Sequence, residues 1–147
     1  MIVDITQQPF TDELRAQIYS GFSRHSIEVT GHDEKFETAA FVAMNRTTGL
    51  FAGVVVTTFF WNALHVKHLY VDENHRGQGL GTQLLEHALA LGIAHKCPFA
   101  FLETMSFQAL GFYKKFGFQL ELTRNGYAHG TSLHYLRKDF IDPNSGV

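Results

Sequence analysis

The 147-residue sequence predicts a mixed α/β fold, with a mostly antiparallel sheet, a central parallel strand pair and flanking helices. Three observations predict it. Residues 39–71 hold three strand-like runs separated by short turns, the pattern of an antiparallel meander. The last of these runs, a glycine-rich turn, a helix-spaced run over 82–95 and a strand-like run over 98–103 make a strand–helix–strand unit. Strands joined in this way pair in parallel, with a right-handed crossover. Residues 119–138 then read as a closing antiparallel hairpin.

In chain order, Ile2 to Ile5 reads as a short first strand ended by Thr6 to Pro9. Thr11 or Asp12 caps a helix through Leu14, Ile18 and Phe22, with Glu13 near its positive end. His25 to Phe36 has mixed polarity around Gly31 and is the least legible stretch. Ala39 to Asn45 is a strand, and Arg46-Thr47-Thr48-Gly49 is a hairpin turn. Leu50 to Phe60 is apolar enough to predict burial on both faces. Trp61-Asn62 turns the chain into Ala63 to Val71. The helix Thr82 to His95 has Gly92, His95 and Lys96 as end signals. Pro98 to Glu103 is a strand, and Ser106 caps a helix with Ala109, Leu110, Tyr113 and Phe116 on one face. Gly117 stops that helix, and Lys114 and Lys115 favour its negative end. Gln119 to Thr123 and Ser132 to Lys138 form the last hairpin across Arg124 to Gly130, and Asp139 to Val147 reads as a loose tail.

Composition bounds the function. The length suits a single domain, and 45 % hydrophobic residues with 14 Phe argue for one packed core. Net charge of −2 and a pI near 6.5 show no electrostatic footprint for nucleic acid or an anionic membrane. The lone Cys97 cannot form an internal disulfide and sits in an apolar run, so a buried reduced thiol is expected. The longest apolar run, Leu50 to Trp61, is too short to span a bilayer, and Met1 to Phe10 lacks the features of a signal peptide. The sequence therefore predicts a soluble cytoplasmic protein with no membrane partner. Nine histidines raise a metal reading. His65 and His68, three apart, would face opposite sides of a strand, and no Cys or His cluster has zinc spacing, so no metal site is expected.

The first chemical motif is His75-Arg-Gly-Gln-Gly-Leu-Gly-Thr-Gln-Leu-Leu-Glu86, at a strand-to-helix turn. Gly77, Gly79 and Gly81 let main-chain N–H groups approach a ligand, and a helix start favours negative charge, so Arg76 and this turn suit a pyrophosphate. A plain glycine turn with an exposed arginine is the bland alternative. A Walker loop needs Lys then Ser or Thr after its last glycine, and Gly81 is followed by Thr82 and Gln83. The dinucleotide fingerprint needs two residues between its second and third glycines, and only Leu80 stands there. The segment resembles the Arg-X-X-Gly-X-Gly loop of the GNAT superfamily of N-acetyltransferases, which bind acetyl-coenzyme A, with Arg76, Gln78, Gly79 and Gly81 carrying the match.

The second motif, Glu103-Thr-Met-Ser-Phe-Gln-Ala-Leu-Gly-Phe-Tyr-Lys-Lys-Phe-Gly-Phe118, resembles the signature of the same family in which a polar cap and an alanine precede Tyr-X-Lys-X-Gly-Phe. Ala109, Tyr113, Lys115, Gly117 and Phe118 match, and Ser106 stands where the family more often has Asn. The Thr-Met-Ser-Phe-Gln-Ala run is similar to that of a bacterial subgroup with Thr-Phe-Ser-Phe-Gln-Ala. The resemblance covers residues 49–138 and names no acceptor.

This likeness implies a GNAT fold whose parallel strands splay apart around the pantetheine arm. Carried over, the cofactor-binding residues are Leu69, Tyr70 and Val71 by main-chain pairing, then Arg76, Gly77, Gln78, Gly79, Leu80, Gly81 and Thr82 at the phosphates. Ser106, Ala109 and Phe112 follow on the later helix. It implies Tyr113 as the acid that protonates the leaving thiolate, although a tyrosine on the inner face of a helix is otherwise a core residue. An amine acceptor is protonated at neutral pH and needs a base, for which Glu103 and His68 both fit. The oxyanion would be held by a main-chain N–H near Leu69 to Val71.

The expected activity is transfer of an acetyl group from acetyl-coenzyme A to a primary amine of a small molecule or peptide, by direct attack through a tetrahedral intermediate. The alternatives are a non-catalytic acyl-coenzyme A sensor and a different small phosphate-binding protein. Acceptor identity and acyl-chain preference stay open. So does a homodimer, for which Phe59, Phe60 and Trp61 offer apolar surface and an equally good core.

Overall fold

The computed structural model describes residues 1–34 and 37–140, divided into two units after Glu34. In the first unit, helix α1 spans Asp12–Thr30. The Thr11 hydroxyl accepts from the Leu14 N–H at 3.1 Å, and Asp12 and Glu13 occupy the positive first turn. Gly31, at φ 77°, closes the helix by donating its N–H to the Ile27 carbonyl. The helix therefore runs through His25 to Thr30, where polarity is mixed. The Ser26 and Thr30 hydroxyls bond to the carbonyls of His32 and Ser26, so the polar side chains close the helix end without breaking it. Residues 2–5 form no strand, contrary to expectation. Every strand of the sheet finds its partner within 38–139, and an isolated four-residue run gains no ladder.

The second unit carries a six-stranded sheet. Its strands are β1 (Thr38–Met44), β2 (Phe51–Phe60), β3 (Ala63–Val71), β4 (Phe99–Met105), β5 (Gln119–Tyr127) and β6 (Thr131–Asp139). Helix α2 (Leu80–Ala94) follows β3, and helix α3 (Leu110–Lys115) follows β4. The strand order is β1-β2-β3-β4-β6-β5, antiparallel except for β3 beside β4. The GNAT-like arrangement expected from the sequence is thus present. Both meander turns follow from local chemistry. The Asn45 carboxamide oxygen accepts from the N–H groups of Thr47 and Thr48, and Gly49 has φ 73°. Trp61 and Asn62, at φ 46° and 64°, make the two-residue turn whose twist matches its strands.

Strand β2 alternates instead of being buried on both faces. Gly53, Val55 and Thr57 are buried, while Val54, Val56 and Thr58 are half-exposed. The buried face meets α2, whose Leu84, Leu85, Ala88 and Leu89 close a core with Val55, Leu64, Val66, Ala100, Leu102 and Leu136. Gly92 is no end signal. It lies inside α2, where a Cβ would stand 2.9 Å from Leu64 Cδ2, so the glycine permits close helix-to-sheet approach. The helix ends at His95, whose Nδ1 bonds the Leu91 carbonyl. Cys97 is buried, and burial raises its thiol above the ordinary value.

Ser106 does not cap α3. The β4–β6 pairing continues into it, since its N–H donates to the Ser132 carbonyl and its Oγ accepts from the Ser132 N–H at 3.0 Å. The chain then turns on Gln108, whose Oε1 accepts from the Met105 N–H at 2.8 Å, and the helix starts after an exposed Ala109. The last hairpin is longer than expected, with only the turn 128–130 between its strands. Asp139 pairs with Phe99, and the Phe140 N–H donates to the Pro98 carbonyl, so the tail does not begin at Asp139. Its remainder, 141–147, lies outside the described residues.

Candidate active site

Strands β3 and β4 pair at only two positions, Leu64 with Ala100 and His65 with Phe101. Beyond them the strands part, and Val71 and Met105 end on the two sides of an opening gap. Main-chain groups of β3 along one side of that gap, including Leu69, Tyr70 and Val71, have no β4 partner. Such an edge suits an extended ligand carrying amides.

The glycine loop lies at the end of β3. From Val71 the chain makes a short turn over Glu73–His75 and reaches α2 through Arg76, Gly77, Gln78 and Gly79. Gly77 and Gly79 have φ of 75° and 79°, a conformation that side chains resist. The Arg76 Nε–H donates to the Val71 carbonyl at 3.0 Å, which sets the root of the side chain and leaves its outer nitrogens exposed. Unlike α1, helix α2 has no side-chain cap and no acidic residue in its first turn. The N–H groups of Leu80, Gly81 and Thr82 therefore remain for an anion.

The loop is braced from the β1–β2 turn. Because the Asn45 oxygen serves Thr47 and Thr48, its Nδ2 faces His75 Nε2 at 3.1 Å and donates to it. The His75 hydrogen is then on Nδ1, 3.3 Å from Asp72 Oδ2. That hydrogen bond is the main cause that lowers the Asp72 carboxyl below its ordinary value, with the Asn74 N–H next. An open cleft of about 560 Å³ is lined by Asn45, Thr48, Leu50, Phe51, Asp72, Asn74 and His75. None of the residues expected from the sequence to bind the cofactor or act in catalysis lines it.

Helix α3 brings the second motif to the same gap. Phe112 approaches the start of α2, with its Cζ 3.8 Å from where a Gly81 Cβ would stand and Val71 Cγ2 at 3.7 Å from that point. Tyr113 is buried between Phe112 and Phe118. No described residue hydrogen-bonds its hydroxyl, and burial raises the phenol above its usual value near 10. Ala109 is exposed at the head of α3, and Ser106 keeps its hydroxyl hydrogen free to donate while Oγ serves Ser132.

The residues expected as acid and base are arranged differently from expectation. Residues paired across a ladder share a face, and His65 pairs with Thr58 while His68 pairs with Val56. Thr58 and Val56 are two apart on one strand, so the two histidines share a face. The cause is a β-bulge that leaves Lys67 as an extra residue between Val66 and His68. Glu103 shares that face through Phe101, and its Oε2 lies 2.7 Å from His65 Nε2. The His65 ring stacks on Phe101 with centroids 4.4 Å apart. His68 is exposed and no described residue bonds its side chain. The gap thus has Tyr113 among the α2-side core residues and Glu103 with His65 on the opposite face. Sequence reasoning missed His65 as a partner of Glu103. The signal was present in the apolar series Leu64, Val66, Leu69, Val71, whose step from even to odd marks a bulge.

Among known proteins, the family model described as "Acetyltransferase (GNAT) domain" matches residues 37–120. A blasticidin-S acetyltransferase of Streptomyces morookaense is 38% identical over 92 residues, 62% of this chain and 68% of that protein. The peptidyl-lysine N-acetyltransferase YjaB of Salmonella typhimurium is 41% identical over 56 residues, 38% of this chain and 37% of that one. The crystal structure of an acetyltransferase from Bacillus cereus superposes with a TM-score of 0.77 at 26% identity, covering 92% of this chain and 97% of that chain.

Proposed function

The chain belongs to the GNAT acetyltransferases, and from that membership we propose that it moves the acetyl group of acetyl-coenzyme A to a primary amine of a small molecule. The observation that carries the reading is the splayed β3–β4 pair opening beside an uncapped helix start, which fits this donor in two places. The N–H groups of Leu80, Gly81 and Thr82, with Gly77, Gln78, Gly79 and the outer nitrogens of Arg76, would hold the pyrophosphate. Main-chain groups of Leu69 to Val71 on the gap side, apart from the Val71 carbonyl held by Arg76, would pair with the pantetheine amides, with Ser106, Ala109 and Phe112 along its other side. The small-molecule acceptor is favoured over a peptide because the blasticidin-S relative matches over the longer stretch.

In this mechanism the amine reaches the thioester from the sheet face that bears Glu103, loses a proton there and attacks the carbonyl carbon. A main-chain N–H of the Leu69–Val71 segment stabilises the oxyanion. When the C–S bond breaks, the Tyr113 hydroxyl gives its proton to the thiolate from the α2 side. A phenol whose value is raised by burial stays protonated at neutral pH, so it is ready as the acid. Of the two positions expected for the base, that of Glu103 is favoured, because it stands at the start of the gap paired with His65, while His68 has no described polar partner; one member of that pair takes the proton.

The test is a calorimetric titration with acetyl-coenzyme A, followed by thiol release with blasticidin S and with a lysine peptide. One-site binding with turnover of blasticidin S supports the reading. Binding without turnover of either acceptor would make the chain an acyl-coenzyme A sensor, and no binding at millimolar ligand would remove the donor.

A further inference from the structure

We propose that His65, and not the carboxylate beside it, takes the proton from the acceptor amine, with Glu103 acting as the positioning residue that fixes its tautomer. The proposal rests on the transfer reading above. A carboxylate at neutral pH has no hydrogen to give, so the 2.7 Å contact between His65 Nε2 and Glu103 Oε2 requires the hydrogen on Nε2. In a neutral imidazole that leaves Nδ1 with a bare lone pair, and no described residue bonds it. Stacking on Phe101, with only 4° between the planes, holds the ring.

The position suits the role. His65 belongs to the last parallel pair before the strands part, and Glu103 reaches across from the other strand two residues further on. The side-chain contact bridges the strands where main-chain pairing stops, which puts the imidazole at the narrow end of the gap. A carboxylate on one nitrogen both orients the ring and stabilises the cation that forms when the other takes a proton. The neighbours on this face do not compete for that role. Strand β2 offers Thr58 and Phe60, β3 offers Lys67, His68 and Tyr70, and β4 offers Phe99. Strand β6 contributes Tyr135 and Arg137, and Arg137 is held by Asp139 at 2.8 Å. Arg124 of β5 lies over the Tyr135 ring. Glu103 is the carboxylate in contact with His65.

The step balances without a further reactant. Nδ1 accepts one proton from the alkylammonium, giving an imidazolium beside the Glu103 carboxylate and a free amine. The amine nitrogen forms its bond to the thioester carbonyl carbon, the C–S bond breaks, and the sulfur takes the Tyr113 proton. The second amine proton leaves as the amide forms and restores the Tyr113 phenol through solvent, while the imidazolium returns its proton to water. The alternative is a purely structural pair whose role is to join two strands.

Two measurements decide it. Nitrogen-15 NMR of the full chain at pH 8 is expected to find His65 protonated on Nε2 and bare on Nδ1, with a tautomer mixture in Glu103→Ala. An Nδ1–H tautomer in the parent overturns the proposal. Thiol release from acetyl-coenzyme A, with blasticidin S and separately with a lysine peptide, is then followed against pH. His65→Gln should lower kcat about 100-fold, leave KM for acetyl-coenzyme A unchanged and remove the acidic limb of the profile. Glu103→Gln should cost less and keep a limb, and added imidazole should restore part of the turnover of His65→Ala. Parent-like turnover in His65→Gln, or a larger loss in Glu103→Gln than in His65→Gln, overturns the assignment. Acetyl-coenzyme A binding without turnover of either acceptor overturns the transfer reading and this base with it. Turnover with the wrong tautomer overturns the base alone.

Discussion

Gly53→Ala should damage both stability and donor binding, whereas Gly81→Ala should spare stability. Gly53 lies on β2 opposite Val71, and a Cβ there would meet the Tyr70 carbonyl oxygen at 2.8 Å, Leu84 Cδ1 at 3.1 Å and Val71 Cα at 3.4 Å. Leu84 can turn aside, but the carbonyl oxygen and Cα are backbone and must move with the strand. Overpacking of this kind costs about 1–3 kcal/mol, and losing a strand glycine returns about 0.5–1 kcal/mol. The balance spans about 0–2.5 kcal/mol with its middle at about 1 kcal/mol of destabilisation, which for a domain of this size lowers Tm by roughly 2–4 °C. The shift falls on Tyr70 and Val71, so the acetyl-coenzyme A dissociation constant should rise as well. A Gly81 Cβ would have only ordinary contacts, at 3.7 and 3.8 Å, and sits inside a helix where alanine is favoured by about 1 kcal/mol. Thermal unfolding and calorimetric titration of both variants read these differences. Gly53→Ala with parent Tm and parent affinity, or Gly81→Ala as the less stable of the two, would refute the reasoning.

Arg76→Glu should weaken acetyl-coenzyme A binding by at least tenfold, because it reverses charge at an uncapped helix start; equal calorimetric affinity in variant and parent removes Arg76 from the site. Tyr113→Phe should lower kcat by about 100-fold or more while leaving KM for the donor nearly unchanged, as read by thiol release. The same variant tests the raised phenol: a folded-state value above the unfolded one gives stability that is present below pH 10 and lost as pH rises past it, so Tyr113→Phe should unfold less readily in alkali than the parent. Asp72→Asn acts at the other end of the scale. Its lowered carboxyl contributes stability above the ordinary value near ~4 that is lost as pH falls, so the variant should show a shallower acid loss, with a raised KM for the donor as the loop loses its brace.

What the sequence disclosed followed from which forces are local. Strand β3 was legible to the residue, and the β2–β3 turn too, because alternation and a two-residue turn are written in adjacent positions. The glycine turn before α2 was legible as glycines before a helical repeat. Ser106 misled because a serine before an apolar run reads as a cap, yet its partner is Ser132 on a strand 26 residues later. Gly92 misled in the same way, since the reason for a glycine there is Leu64 across the interface and not the end of the helix. The second half of α1 was obscured because its closing hydrogen bonds run through serine and threonine hydroxyls, residue types that equally favour turns.

The bulge at Lys67 joins these strands to the chemistry. If the same residues paired without a bulge, a β3 that kept Leu64 and Val66 on the core face would turn Leu69 and Val71 away from α2 and His68 toward it. With it, all four apolar residues serve the core, although their spacing changes from even to odd, and His65, His68 and Tyr70 face the other way together. The same local twist accompanies the end of β3–β4 pairing, which stops at His65, two residues before the bulge. The bulge therefore absorbs one inserted residue with the core intact while the sheet opens, and in the proposed mechanism the opening lets an acid on the α2 side and a base on the other face reach a thioester between them. Deleting Lys67 separates these roles. The shortened strand alternates regularly and keeps Leu64, Val66, Leu69 and Val71 on the core face, so Tm should change little. The kink is lost, whereby turnover and acetyl-coenzyme A affinity should fall; a deletion variant with parent turnover and affinity would show that the bulge positions nothing.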